Sequence, residues 1–376
     1  MLENRIREQL QDTFPTPNKA LWEAAAQQET DGKNPHEVLS WTGAEKLGFS
    51  GYYDKTDLSS LEYLRHFQLT PSTDGFSGAR AWSNVPQVTV SNIETAREQA
   101  LQYLQNGADG VLFSFAEHSP AFTPALLQGI DWPYCNISFG TSQPEQLATL
   151  ADYVQNTYPD RALQGIVLWN NTAQVSAQFC TAFPQTGTLK TLTLAISSAD
   201  AITEIVTALT TAVALLDTTP TGNRNQTLDA IAFSLETGTD LFTTIAKFKA
   251  LRLLWFQITH AYGHTAYQPH NLVLHARVLP WINEKYQPHG NMLRSTTASL
   301  AAVLGGCNSI TVVPEDESHS TMQRIARNVS SILREESHLD KVADPLAGAY
   351  AVDTIVNSFA ETAWKQFQQA VAAKTL

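Results

Sequence analysis

The sequence predicts an α/β chain closed into a (β/α)8 barrel, and three observations carry that expectation. Eight short apolar runs recur along the 376 residues, helical patterns separate them, and the runs are apolar throughout, as parallel strands covered by helices must be. A doubly wound open sheet is the competing arrangement. Its first strand is usually followed by a glycine-rich turn, and none follows Val90.

The runs are PQVTV (86–90), GVLFSF (110–115), CNISF (135–139), GIVLW (165–169), LTLAI (192–196), AIAFSL (230–235), NLVLHA (271–276) and SITVV (309–313). All are rich in Val, Ile, Leu or Phe and short enough for strands. Ser91 with Glu94, Ser142 with Glu145, and Ser320 with Gln323 have the spacing of a capping box, so helices are expected to start there. Leu241, Phe242, Ile245, Phe248, Leu251 and Trp255 keep a period near 3.6 and predict a long helix from Thr239 to His260.

Residues 1–80 precede the first strand and form an N-terminal arm. Helices are expected near 2–13 and 18–29, and LTPSTDGFSGA (69–79) is rich in turn residues. Residues 81–336 make the barrel. Residues 337–376 hold a turn, ADPLAGAY, and a helix from Thr354 to Ala372. The whole is the TIM-barrel class with an arm at one end and a helix at the other.

Bulk properties exclude several function classes. A formal charge of −12 without a run of Lys or Arg argues against nucleic acid or an anionic membrane as the main partner. Cys135, Cys180 and Cys307 lie too far apart for a zinc knuckle or a disulfide framework, which suits a reducing compartment. The N-terminus, MLENRIREQLQDTF, has no apolar signal core, so the expected location is the cytoplasm.

Active sites of such barrels sit at the C-terminal ends of the strands. There the chain offers Glu117 and His118 after strand two, Asn170 and Asn171 after strand four, Glu236 and Asp240 after strand six, His275 and Arg277 in strand seven, and Glu315, Asp316 and Glu317 after strand eight. Asp240 at a helix start is expected to offset the helix dipole. His260 and His264 have the i, i+4 spacing of a metal site, but Gly263 interrupts them and they precede strand seven, on the opposite face. No nucleophile elbow or phosphate-binding glycine loop occurs. Strand seven runs into VLPWI (278–282), apolar where polar catalytic groups belong.

Three segments resemble the methylmalonyl-CoA mutase family: LFTTIAKFKALRLLWFQI (241–258), NMLRSTTASLAAVLGGCNSI (291–310) and RIARNVSSILREESHLDKVADPLAGAY (324–350). The last is the most specific, with R-I-A-R-N, E-E-S, V-A-D-P and G-x-Y in fixed order. The resemblance implies a barrel with coenzyme A threaded along its axis. It also implies adenosylcobalamin held by a histidine in a D-x-H-x-x-G motif of another domain, for radical isomerisation of methylmalonyl-CoA to succinyl-CoA.

The chain departs from that pattern at each functional point. It contains no D-x-H-x-x-G, so no cofactor or metal is expected on this chain alone. The family's strand-five Tyr-His pair falls near Leu194 and Ala195, and no histidine lies between His118 and His260. The family's strand-seven R-T-H-S-Q-T-S-G-W aligns with VLHARVLPW (273–281), keeping His275 and Trp281 but placing Arg277, Val278, Leu279 and Pro280 at its polar positions. An Arg-x-Ser that holds coenzyme A falls at Ala230 and Ala232.

This pattern is similar to the degenerate small subunit of heterodimeric members. What that implies is a non-catalytic chain stabilising a catalytic large subunit, with His275, Arg277 and Glu236 as remnants of a substrate pocket and adenosylcobalamin belonging to the complex. Two alternatives stay open: an acyl-CoA mutase barrel working with a separate cobalamin protein, and a barrel repurposed as a scaffold.

Overall fold

The computed structural model describes residues 18–43, 45–58, 71, 78–172, 183, 187–198, 200–280 and 290–375. The helix expected at 2–13, most of 69–79, Cys180, and Trp281 with Ile282 lie outside the described residues.

Eight parallel strands form the barrel. They are β1 (Ser83–Asn84 and Gln87–Thr89), β2 (Gly110–Ser114), β3 (Asn136–Thr141), β4 (Leu163–Trp169), β5 (Gly187–Ile196), β6 (Ile231–Glu236), β7 (Leu274–Val278) and β8 (Ser309–Val312). Neighbours in sequence are neighbours in the sheet. Closure comes from β1, whose two halves face opposite ways. Ser83 and Asn84 pair with Ser309 and Ile310 of β8, while Gln87–Thr89 pair with Leu112–Ser114 of β2.

Among the described residues the longer helices are α1 (Lys19–Glu29), α2 (Ile93–Gln105), α3 (Leu150–Thr157), α4 (Ala201–Asp217), α5 (Arg224–Ala230), α6 (Leu241–Ala261), α7 (Gly290–Gly305), α8 (Ser320–Glu335) and α9 (Tyr350–Thr375), with a single helical turn at Pro35–Val38. The capping boxes are not the helix starts. Asn92, not Ser91, caps α2, accepting from the Glu94 and Thr95 amides. Near Ser142 the chain makes only a 3-10 turn, Pro144–Leu147, with Thr141 Oγ1 accepting from the Gln143 amide. Ser320 lies inside α8, which has no side-chain cap.

No α-helix joins β2 to β3. Pro120, Pro124 and Pro133 interrupt that stretch, and each proline removes an amide a helix would use. The segment instead forms 3-10 turns at Pro124–Leu127 and Trp132–Tyr134. β7 starts three residues later than expected because a capped turn at Pro269–Asn271 occupies the approach. The predicted long helix is α6, capped by Asp240, whose Oδ1 accepts from the Thr243 amide at 2.6 Å. It is buried on nearly every side, since α9 and α4 pack over its outer face. Phe242, assigned to its buried stripe, is exposed.

Arm residues 18–58 add α1 and a two-stranded hairpin, Trp41–Thr42 with Gly48–Phe49. Phe49 is buried in the core shared by α4, α6 and α9, and Thr243 donates to Glu45 at 3.3 Å.

Strand residues alternate between two environments. Outward side chains meet the helices. Phe113, Phe139, Val167 and Trp169 pack in one core, and Leu192, Leu194, Phe233, Leu274 and Val278 in the other. Inward side chains of β3 and of β5 to β8 are small or polar, including Ser138, Thr193, Ala232, Ser234, His275 and Thr311. Those strands are therefore not apolar on both faces, as the runs had suggested, whereas β2 and β4 are.

Across the lumen, Val85, Leu112, Ile166 and Leu168 form a separate apolar cluster. A Cβ on Gly140 would sit 3.8 Å from both Leu112 and Leu168, which places this cluster inside the barrel. All four are at most 3% exposed, so no water-wide channel runs past them. Leu168→Ala is expected to cost about 2–5 kcal/mol in chemical denaturation, the range for an emptied core site. A loss under about 1 kcal/mol would mean that solvent already reaches the site.

Candidate functional site

The C-terminal rim is built from the ends of β5, β6 and β7. Glu236 ends β6, and both of its backbone polar groups are held from behind. Glu204 on α4 accepts from the Glu236 amide at 3.3 Å, and Lys247 on α6 donates to the Glu236 carbonyl. Glu204 and Lys247 also pair with each other at 2.5 Å, each about 5% exposed or less. Burial pushes the Glu204 carboxyl above its ordinary range, against the pull of the Lys247 charge. Removing one partner would strand a buried charge, so this pair ties α4, α6 and β6 together.

In front of this clamp, the Glu236 carboxylate accepts from Ser197 Oγ at 3.1 Å. Arg277 approaches it at 3.8 Å, and both side chains are partly open to solvent. Register places Arg277 opposite Glu236 on the adjacent strand. Glu236 and Arg277 are thus brought together at the mouth.

His275 lies one layer deeper and is 1% exposed. Its Nδ1 is 2.8 Å from Ser234 Oγ and its Nε2 is 3.0 Å from Thr311 Oγ1. Thr311 donates its single proton to the Val85 carbonyl at 2.5 Å. It can therefore only accept from His275, which fixes the proton on Nε2 and makes Nδ1 the acceptor from Ser234. Both nitrogens are spent. Burial, with a smaller contribution from the Arg277 charge, pulls the imidazole down to about 3.

The other sequence candidates do not join this group. Glu117 lines a cleft of about 440 Å³ with Gln146, Asn170 and Asn171. His118 lines a different cleft, with Asn92 and Arg97. His260 bonds the Tyr267 carbonyl and His264 bonds Asp229. Among the described residues no three metal-ligating side chains cluster. Asp316 caps the Ser318 amide, and Glu317 accepts from Thr89.

The described part of the VLPWI stretch, residues 278–280, has a simpler geometry than its composition suggests. Val278 points outward into the helix core, Leu279 is half-buried and Pro280 is exposed. Leu194 likewise faces outward, while Ala195 presents only a methyl to the lumen cluster. Sequence inspection missed Ser234 and Thr311, ordinary hydroxyls in apolar runs, and gave no role to Ser197 at the end of strand five. Counting two residues back from Glu236 reaches Ser234, while Thr311 becomes a partner only through the strand register.

A histidine held neutral when folded and free to protonate when unfolded makes stability rise with pH. Its contribution is complete above pH 6.5 and is lost as pH falls from 6.5 toward 3. The expected slope is up to about 1.4 kcal/mol per pH unit, read from denaturation midpoints between pH 6.5 and 5. His275→Gln should flatten that slope. An unchanged slope in the variant would contradict the buried, neutral assignment.

Comparisons with known proteins agree on one family. The profile of the family described as Methylmalonyl-CoA mutase matches residues 140–373, more than half of the chain. A "Methylmalonyl-CoA mutase small subunit" of Porphyromonas gingivalis is 28% identical over 399 aligned residues, covering 96% of this chain and 64% of that protein. A protein of the same description from Streptomyces virginiae is 37% identical over 37% of this chain and 23% of its own length. The "Methylmalonyl-CoA mutase" of Escherichia coli is 34% identical over 37% of this chain and 20% of its own. The chain thus spans less than two thirds of the length of these relatives. Among solved structures, a dihydropteroate synthase of Xanthomonas albilineans overlaps 69% of this chain and 92% of that one at 11% identity, with a TM-score of 0.39, too distant to carry an argument. On the profile match and the near full-length alignment with a small subunit, the chain belongs to the methylmalonyl-CoA mutase family.

Proposed function

We propose that this chain is the non-catalytic small subunit of a heterodimeric, adenosylcobalamin-dependent methylmalonyl-CoA mutase, and that it stabilises a catalytic large subunit. The observation that carries the proposal is the shut lumen. Val85, Leu112, Ile166 and Leu168 occupy the axis along which the family's coenzyme A thread passes. A thioester also needs donors and cations along its length, and the inward positions at Ala195 and Ala232 offer methyl groups.

The residues do not fit the cofactor either. Ligating cobalt takes an imidazole nitrogen with a free lone pair, and His275, inside the barrel, has none to give. With no D-x-H-x-x-G motif in the sequence, we assign adenosylcobalamin to the partner chain and derive no chemical step here.

The relatives described as small subunits support a partner subunit. Residues 1–80 are the proposed contact segment. Its described part keeps Leu21, Val38, Leu39 and Trp41 exposed, an apolar set suited to a protein partner. The proposed setting is the cytoplasm. Among the described residues no helix is long and apolar enough to cross a membrane, and Cys135 and Cys307 are free thiols.

Affinity purification from the source cell is expected to recover a second, heavier mutase chain that turns over methylmalonyl-CoA when adenosylcobalamin is added. Recovery of this chain alone, or turnover by this chain with only a separate cobalamin protein, would overturn the proposal.

A further inference from the structure

We infer that barrel closure between β8 and β1 depends on a side-chain relay, Ser234 to His275 to Thr311 to the Val85 carbonyl, with His275 a positioning residue for the seam. The inference rests on the fold alone and stands apart from the proposed subunit role.

The seam is short in backbone terms. β8 and β1 share two register pairs, Ser309 with Ser83 and Ile310 with Asn84, whereas β8 and β7 share four and β2 and β3 share five. The cause is in β1. Pro86 has no amide to donate, and from Gln87 onward the strand pairs with β2 instead. The Ser83 amide donates to Asn308 and the Val85 amide to Ile310, both at 2.9 Å, and above that level Thr311 and Val312 have no ladder partner on β1.

The relay stands at that level. Thr311 Oγ1 donates to the Val85 carbonyl, the last β1 carbonyl before Pro86. His275 orients Thr311 from β7, and Ser234 orients His275 from β6. The chain of three bonds therefore crosses every strand boundary from β6 to β1. Ser234, His275 and Thr311 are each at most 1% exposed, so no water replaces a lost partner and each deletion leaves a buried group unsatisfied. Arg277 is the charged group nearest the imidazole in sequence, and it is directed to Glu236 at the mouth.

Native-state hydrogen exchange on the full chain tests this. In the unaltered protein, the Ser83 and Val85 amides should exchange through smaller openings than amides of β4 and β5. Thr311→Val keeps the shape and removes the hydroxyl. Because the hydroxyl makes two buried hydrogen bonds, its loss should speed exchange at Ser83, Val85 and β8 by about ten- to a hundredfold and leave β3 to β5 within about twofold. Thr311→Ser should restore protection. Should Thr311→Val fail to fold, Ser234→Ala removes a donor two strands away and should still loosen Ser83 and Val85 selectively. Equal acceleration of all strands, or seam amides as slow as those of β4 in the unaltered protein, would overturn the inference.

Discussion

A closed ring of eight parallel strands gives every strand residue one of two fates. It faces the helices, where a large apolar side chain is required, or it faces a lumen shared with seven other strands. The alternation of side chains along a strand enforces this choice at each position. Val278 and Leu194 serve the outer core, and so say nothing about chemistry. Leu112, Ile166 and Leu168 are the inward residues that decide what the barrel can hold. Val85, Leu112, Ile166 and Leu168 are packed to 3% exposure or less, the close packing of a core.

The three segments that carry the family resemblance, 241–258, 291–310 and 324–350, are tied down at the opposite face. Arg80, just before β1, donates to the carbonyls of Val303 and Ala343, and Lys249 of α6 pairs with Asp344. Arg334 bonds Asp109 at 2.7 Å, and Asn84 reaches the Arg327 carbonyl. Arg252, fully buried, donates to Pro269, Leu272, Gly306 and Asn308. Burial pulls its guanidinium down to about 10. Each of these residues joins a helix or the C-terminal turn to the barrel floor. Breaking such a buried network is strongly destabilising, so a chain can lose substrate binding at the rim and still keep the V-A-D-P and R-I-A-R-N segments.

Much of the architecture was legible because strand composition and helix period are local properties. Each of the eight runs overlaps one of the eight strands, with the start of β7 displaced by a capped turn whose partners, Gln268 and Asn271, look like ordinary loop residues. Regular spacing implies a helix between β2 and β3, but Pro120, Pro124 and Pro133 override it. Glu236, His275 and Arg277 could be named from position alone. Their separation into a solvated pair at the mouth and a buried imidazole could not, since it depends on which register neighbour each strand receives. The plug was equally hidden: Leu112 and Leu168 are indistinguishable in composition from the outward residues beside them.

The account turns on whether this barrel accepts acyl-CoA at all. The most direct measurement is the stoichiometry of methylmalonyl-CoA bound to the purified complex, by equilibrium dialysis or calorimetry. A shut lumen in this chain predicts one thioester for each pair of large and small chains. Two per pair, or saturable binding to this chain in isolation, would contradict it.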